Sequence, residues 1–431
     1  MSDLMIGFGA LGMSLVLIVL RFPIGLAIGG TSLIGIYLTV GLRPMVSILK
    51  TAPFEFVASW ELSAIPLFLF MGAIAYSAGM TQALFEAARI WLARLPGGLA
   101  VATNFACAGF SAASGNSLAT TIAMGRIAIP EMRKYKYDIS LTTGVVAASG
   151  TLGALLPPSI LLVIFGIFAE QSIPKLFIAG IVPALLTAVI YAAMIVLRCT
   201  LNPALAPRPP KEDVSGDRFR VLLATWPLMM LVLAVVGSIY TGLATATEAG
   251  AIGVVASMGI AAVNRRLTWL VLRESLRQSV HATASVFFIA IGAVLMTRLM
   301  TYSGVPLFLA DLMSGMALGP VGLVLMTAAL YLVLGCLIDP LGMVLLTLPV
   351  LLPMFKAVGI DLIWFGILVV KFIEIGLITP PIGLNVFSVR AMVPDVAITT
   401  VFRGTLWFLV CELIVVGLLI AFPGIVTFLV R

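Results

Sequence analysis

Inside two long apolar runs this chain carries a pair of prolines. The first lies in Ser149–Val163, SGTLGALLPPSILLV, with Gly150, Gly153 and Pro157-Pro158. The second lies in Glu374–Val386, EIGLITPPIGLNV, with Gly376, Pro380-Pro381 and Gly383. Proline removes an amide donor and clashes with the preceding turn, so two in succession break a helix. In hydrocarbon, backbone released from a helix is tolerated only where it lines a cavity inside protein. Each stretch therefore reads as a broken helix built to expose carbonyls and half-helix ends. One such break in each half of a chain points to a transporter's binding site.

The surroundings of the breaks are membrane. The 431 residues are 61% hydrophobic and 10% charged, with a mean hydropathy of +1.20, whereas soluble domains carry about 25% charged residues. Apolar runs of about 20 residues recur along the whole length, which predicts an all-α polytopic membrane protein. The first run, Leu4–Leu20, reads as a crossing and not a secretory signal: Asp3 precedes it, and Phe22-Pro23 is no small-residue cleavage site. The net charge of +7 sits at helix ends and in loops, which is a topology signal and not a nucleic-acid footprint. Cys107, Cys199, Cys336 and Cys411 have no CxxC spacing and sit among apolar neighbours, as small core residues do. With His281 the single histidine, a His-based metal site or a Ser-His-Asp triad is disfavoured. No P-loop motif is present, so ATP hydrolysis by that route is excluded.

Taken in order, crossings are predicted near 4–20, 24–42 and 61–79, with amphipathic pieces at 44–60 and 81–94. The run 98–132 is interrupted by SAASGNS at 111–117. Its arms of about 12–15 residues are too short to span, so it predicts a re-entrant hairpin. The broken crossing 138–169 and a crossing at 177–197 complete a first unit, 1–197. The polar, proline-rich stretch 198–219 is the linker. A second unit, 220–431, has crossings near 221–239, 242–263 and 280–300, amphipathic pieces at 266–279 and 304–316, a hairpin at 319–357 with GCLIDPLG at its tip, a broken crossing at 361–392 and a last crossing at 403–422.

The units keep one register. Pro130 and Pro353, Asp138 and Asp361, Gly153 and Gly376, and the two proline pairs are all separated by the same step in residue number. That step also carries Asn116 onto Asp339. Five full crossings per unit is an odd number, so the repeats are predicted to be inverted. Assigning loops alternately, about 18 of the 25 basic residues fall on one face and about six on the other. Basic loops stay cytoplasmic, so both termini are expected in the periplasm.

Several residues carry candidate chemistry. Ser111, Ser114, Gly115, Asn116 and Ser117 form the first tip, where carbonyls at one helix end suit a cation and amides at the next suit an anion. Asp339 at the second tip is a carboxylate at membrane depth, which marks an ion path; capping the helix led by Pro340 is the other reading. Ser149, Gly150, Thr151 and Gly153 in one break, and Gly376, Thr379, Gly383 and Asn385 in the other, offer the remaining oxygens, enough for two equivalent ion sites. Arg298 either clamps a carboxylate bidentately or snorkels to headgroups. Lys371 and Glu374, three apart, read as a structural pair. Glu248 reads as a helix-dipole partner.

The stretches SGNS, LGALLPPS, GCLIDPLGM, LTLPVLLP and LITPPIGLNVF resemble the large membrane subunit of TRAP (tripartite ATP-independent periplasmic) transporters, within the ion transporter superfamily. The resemblance covers nearly the whole chain. It implies a sodium-coupled importer of a carboxylate-bearing solute, such as a C4-dicarboxylate, sialic acid or other organic acid, working by an elevator motion and not as an enzyme. It implies about two Na⁺ sites, one formed by Ser111–Ser117 with Gly150, Thr151 and Gly153, the other by Gly335, Cys336 and Asp339 with Gly376, Thr379 and Pro380. Asn116, Ser117, Arg298 and Asn385 are the expected solute contacts. Expected partners are a small four-helix membrane subunit on a separate polypeptide, a periplasmic solute-binding protein and the lipid of a bacterial inner membrane. A stand-alone sodium/dicarboxylate symporter of the same superfamily is the alternative. An intramembrane enzyme lacks a nucleophile–base pair, and a channel would lack gradient-coupled, saturable uptake.

Overall fold

The structure, a computed structural model, describes residues 2–207, 218–315, 319–335 and 338–430. The described residues form helices joined by short turns, with no strand among them. The first half comprises α1 (Asp3–Val19), α2 (Ile24–Val40), α3 (Leu42–Val57), α4 (Ala64–Ser77), α5 (Met80–Leu92), α6 (Gly98–Ser114), α7 (Ser117–Lys134), α8 (Ile139–Ser149), α9 (Ile160–Ala169) and α10 (Ile173–Leu201). The second comprises α11 (Arg218–Leu223), α12 (Trp226–Tyr240), α13 (Ala246–Val263), α14 (Trp269–Ser303), α15 (Val305–Gly315), α16 (Pro320–Gly335), α17 (Pro340–Val358), α18 (Leu362–Ile378), α19 (Leu384–Met392), α20 (Ile398–Ala421) and the short α21 (Gly424–Thr427). Among the described residues six stretches are long and apolar enough to cross a bilayer unaided: Trp60–Ser77, α10, α13, α14, α17 and α20.

Helix starts follow local chemistry. Asp138 and Asp361 cap α8 and α18, each accepting an amide hydrogen bond within the first turn, from Leu141 at 2.9 Å and Ile363 at 2.8 Å. Side-chain oxygens at this position satisfy amides that have no partner inside the helix. Thr245 and Glu248 form a reciprocal capping box at the start of α13, the role expected of Glu248. Two matched pairs of helix starts keep the spacing read from the sequence: α7 begins at Ser117 and α17 at Pro340, α8 at Ile139 and α18 at Leu362.

Three boundaries differ from expectation. The arms of the first hairpin, α6 and α7, have 17 and 18 residues, longer than the 12–15 expected, and those of the second, α16 and α17, have 16 and 19. At the first tip this is because the small residues Ser111–Ser114 stay helical, Ser111 donating its hydroxyl back to Cys107 O at 2.7 Å; only Gly115 and Asn116 lie outside helices. The amphipathic piece at 266–279 and the crossing at 280–300 are one helix, α14, of 35 residues, about 52 Å long. In the first half the matching α3 and α4 are separated by Ala58–Ser63. Both ends of the stretch 198–219 are helical, since α10 runs to Leu201 and α11 begins at Arg218.

Two packed groups result. In one, α14 lies along α2 and α4, with α13 on α4, α1 on α2 and α12 on α13. In the other, α6 and α7 close on the turn after α8, α8 packs on α20, α10 on α6 and α20, and α16 on α18. Phe165, Phe355 and Phe365 interlock α9, α17 and α18. The groups meet where α17 runs beside α14 and α4 beside α6.

Candidate functional site

Both breaks open where the prolines demand. After α8, residues Gly150–Ala154 tighten into a 3₁₀ turn, and the helix resumes only at Ile160. After α18 the chain leaves the helix at Thr379 and re-enters at Leu384. The peptides Pro157-Pro158 and Pro380-Pro381 are cis.

Each tip reaches its own break. Gly115, at φ +60°, ends α6, and its carbonyl accepts the amide of Ile160 at 3.2 Å. A Cβ on Gly115 would lie 2.0 Å from Pro158 O, and one on Gly153 would lie 2.7 Å from Asn116 O. A Cβ on Gly150 would strike Thr121 Oγ1 at 1.9 Å. Only glycine lets backbone approach backbone this closely. In the second half Gly335 and Gly376 face each other, and a Cβ on either would sit 2.8 Å from the other's Cα. The expected site members Ser111, Ser114, Gly115, Asn116, Ser117, Gly150, Thr151 and Gly153 thus share one junction, and Gly335 and Gly376 mark the other. Cys336 lies outside the described residues.

The hydroxyls and amides at the first junction are knitted together. Ser114 Oγ lies 2.7 Å from Thr120 Oγ1. Thr151 donates to Ala148 O at 2.7 Å, and Ser149 donates to Asn104 Oδ1 at 2.9 Å. Asn116 caps α7 by accepting from Ala119 N at 3.1 Å. Asn385, fully buried, donates to Ser117 Oγ at 3.0 Å and to Ala147 O at 3.1 Å, while its Oδ1 has no partner among the described residues. That amide ties the second half's broken helix to the first half's tip. Nothing in the sequence singles out Asn104, Thr120 or Thr121, because ordinary polar side chains in helices carry no local signature.

At the second junction Asp339 caps α17, its Oδ2 accepting from Leu341 N at 3.1 Å and Gly342 N at 3.3 Å. Its buried Oδ1 has no partner among the described residues. A buried carboxylate oxygen left bare is costly unless a cation completes it. Thr379 donates to Ile375 O at 2.6 Å, and Thr405 donates to Ile378 O at 3.2 Å, at the end of α18.

One turn before this break lies a charged cluster. Lys371 Nζ is 2.6 Å from Glu374 Oε2 and 3.1 Å from Thr187 Oγ1. It is also 2.6 Å from Glu412 Oε2, an ion pair off the hydrogen-bonding direction. Tyr191 donates to Glu412 Oε1 at 2.5 Å. All four ionisable or phenolic side chains are fully buried. The expected Lys371–Glu374 pair is present, with Glu412 as a third member. A lone acid in the apolar run of α20 was the available signal.

Two clefts hold charged side chains, the first of them beside the first junction. One, of about 330 Å³, is lined by Gly72, Tyr76, Ser114, Asn116, Arg126 and Gln278. The other is lined by Glu55, Glu61, Glu170 and Arg298. Gln278 and Arg298 are both on α14, about 30 Å apart along its axis. Arg298 is exposed and is not brought to Asn116, Ser117 or Asn385.

Comparison with known proteins gives the family. Residues 11–425 match the model of the tripartite ATP-independent periplasmic transporter, DctM component. The chain is 34% identical over 365 residues to the C4-dicarboxylate TRAP transporter large permease protein DctM of Pseudomonas aeruginosa, covering 82% of this chain and 85% of that one. It is 31% identical to the sialic acid TRAP transporter large permease protein SiaM of Vibrio cholerae, with 85% of each covered. Among solved structures, the YdaH transporter of Alcanivorax borkumensis superposes with a TM-score of 0.65 at 14% identity, covering 96% of this chain and 98% of that one, a likeness of fold alone. This multi-pass membrane protein belongs to the DctM component family of tripartite ATP-independent periplasmic transporters.

Proposed function

We propose that the chain is the large membrane subunit of a sodium-driven importer of carboxylate-bearing solutes in a bacterial inner membrane. The carrying observation is the pair of junctions, in which glycines bring each hairpin tip against its own break. Carbonyls, hydroxyls and the bare Oδ1 of Asp339 are hard donors, the kind that suits a hard cation. About two Na⁺ sites follow, one per junction: Ser111–Ser117 with Gly150–Gly153, and Gly335–Asp339 with Gly376–Pro380. The relatives' printed solutes, a C4-dicarboxylate and sialic acid, favour an organic acid.

The halves are inverted repeats in this reading, supported by the starts of α7 and α17 and of α8 and α18, which are separated by the same step. The group holding both junctions slides as an elevator against the group built on α14. The name of the family favours two partners, a small membrane subunit and a periplasmic binding protein that delivers the solute. The test is uptake into proteoliposomes holding both membrane subunits, with the binding protein outside. We expect accumulation only with an inward sodium gradient and loaded binding protein. Sodium-independent uptake would remove the coupling. Uptake of unbound solute by this chain alone would favour the stand-alone symporter.

A further inference from the structure

The cleft beside the first junction holds a cation that the sodium sites do not use. Arg126 lies on α7, ten residues beyond Asn116, so their Cα positions are about 15 Å apart along the axis. The Cα–Cβ bond of a helical residue leans toward the N-terminus, and Arg126 lines one cleft together with Ser114 and Asn116 of the tip. Ala119, Ile122, Ala123 and Arg126 all line the same cleft, and their spacing puts them on one face of α7. Arg126 is exposed and donates to the Tyr76 hydroxyl at 3.4 Å.

Arg126 also lines a neighbouring groove with Glu86 and Glu131, but both carboxylates are taken. Arg89 is held by Glu86 at 2.5 Å and Glu131 at 3.1 Å. Among the described residues no carboxylate pairs with Arg126. Arg298 lies in the opposite cleft among Glu55, Glu61 and Glu170, carboxylates that repel an anion. At the tip end of the cleft α4 packs closely, so that a Cβ on Gly72 would lie 2.9 Å from Ala113 O.

We propose that Arg126 and Tyr76 form a carboxylate-binding station in this cleft, which receives the anionic end of the solute beneath the first hairpin tip. It rests on the transport reading above and adds a residue to it. The planar guanidinium fork matches a carboxylate in two parallel bonds, and the Tyr76 hydroxyl can supply a third.

Phenylglyoxal modification of Arg126, followed by peptide mass analysis of the detergent-solubilised complex, tests occupancy without mutation. Succinate and N-acetylneuraminate are the probes, with their amides as controls. We expect one acid to slow modification of Arg126 several-fold, and its amide not to. In proteoliposomes, Arg126→Gln should lower kcat/KM for the transported acid by at least about tenfold, with the sodium half-saturation unchanged. Arg126→Lys should recover part of it, and Tyr76→Phe should give a smaller loss. Wild-type kinetics in Arg126→Gln, or equal modification with and without an acid that the complex carries, would overturn the station. If wild-type liposomes accumulate neither acid, the transport reading fails for these solutes. Shielding in detergent would then still support the station, and equal modification would overturn it as a site for these two acids.

Discussion

Asp339 has two jobs that can be separated. Its Oδ2 caps α17 through two amides, while its buried Oδ1 is bare. Asparagine caps a helix as well as aspartate does, but it has no charge. Asp339→Asn should therefore keep thermal stability in detergent and lose sodium-coupled uptake. Asp339→Ala should lose both, the missing cap costing about 1 kcal/mol. Sodium dependence unchanged in both variants would take Asp339 out of the ion site. Asn116, at the matching position of the first half, caps α7 through its side-chain oxygen but has no charge, so the two junctions are not chemically equivalent. That difference could be read from the sequence, since both positions follow from the register. The partners of Asn385 could not, since it meets Ser117 across 268 residues, and a long-range contact leaves no local pattern.

At the scale of helices, the breaks depend on glycine and the arms depend on a buried charge. Gly376→Ala adds a Cβ that must displace Gly335. We expect it to weaken sodium activation of uptake at least tenfold, because main-chain positions cannot yield as a flexible side chain can. Sodium titration of uptake reads this directly, and an unshifted half-saturation would count against the junction as an ion site. The cluster of Lys371, Glu374, Glu412 and Tyr191 locks α10, α18 and α20 together just before that break. Lys371→Met would strand two buried carboxylates, a loss of about 3–5 kcal/mol. Glu412→Gln leaves one ammonium facing one carboxylate, still neutral as a pair, and should cost far less. Thermal unfolding of the two variants in detergent checks the order, and equal losses would refute it. The proline pairs announced the breaks because proline acts locally. The continuity of α14 was hidden because an amphipathic segment feeding an apolar one reads equally well as two elements or one.

For the molecule as a whole, two ion pairs bear on the inverted topology. Arg133, at the end of α7, pairs with Asp395 in the α19–α20 turn at 2.9 Å, and that hydrogen bond holds the Asp395 carboxyl below its usual range. Lys356, at the end of α17, pairs with Glu170 in the α9–α10 turn at 3.6 Å. Arg133 and Lys356 are separated by the same step as Asp138 and Asp361, so each hairpin's outgoing arm reaches the turn of the opposite half. A two-fold relation would produce this exchange, and an inverted one puts the two pairs on opposite faces of the membrane. Both pairs are largely exposed and worth at most about 1 kcal/mol, so replacing either cation leaves the fold intact. Cys107, Cys199 and Cys411 are buried, and the unsubstituted chain sets the labelling background. In intact cells a membrane-impermeant maleimide should label Lys356→Cys, and label Arg133→Cys only after permeabilisation. Basic loops fix which face is which, so the reverse result would correct the orientation alone. Labelling of both positions from one face would mean parallel halves, and the odd number of crossings per half would then have to be wrong.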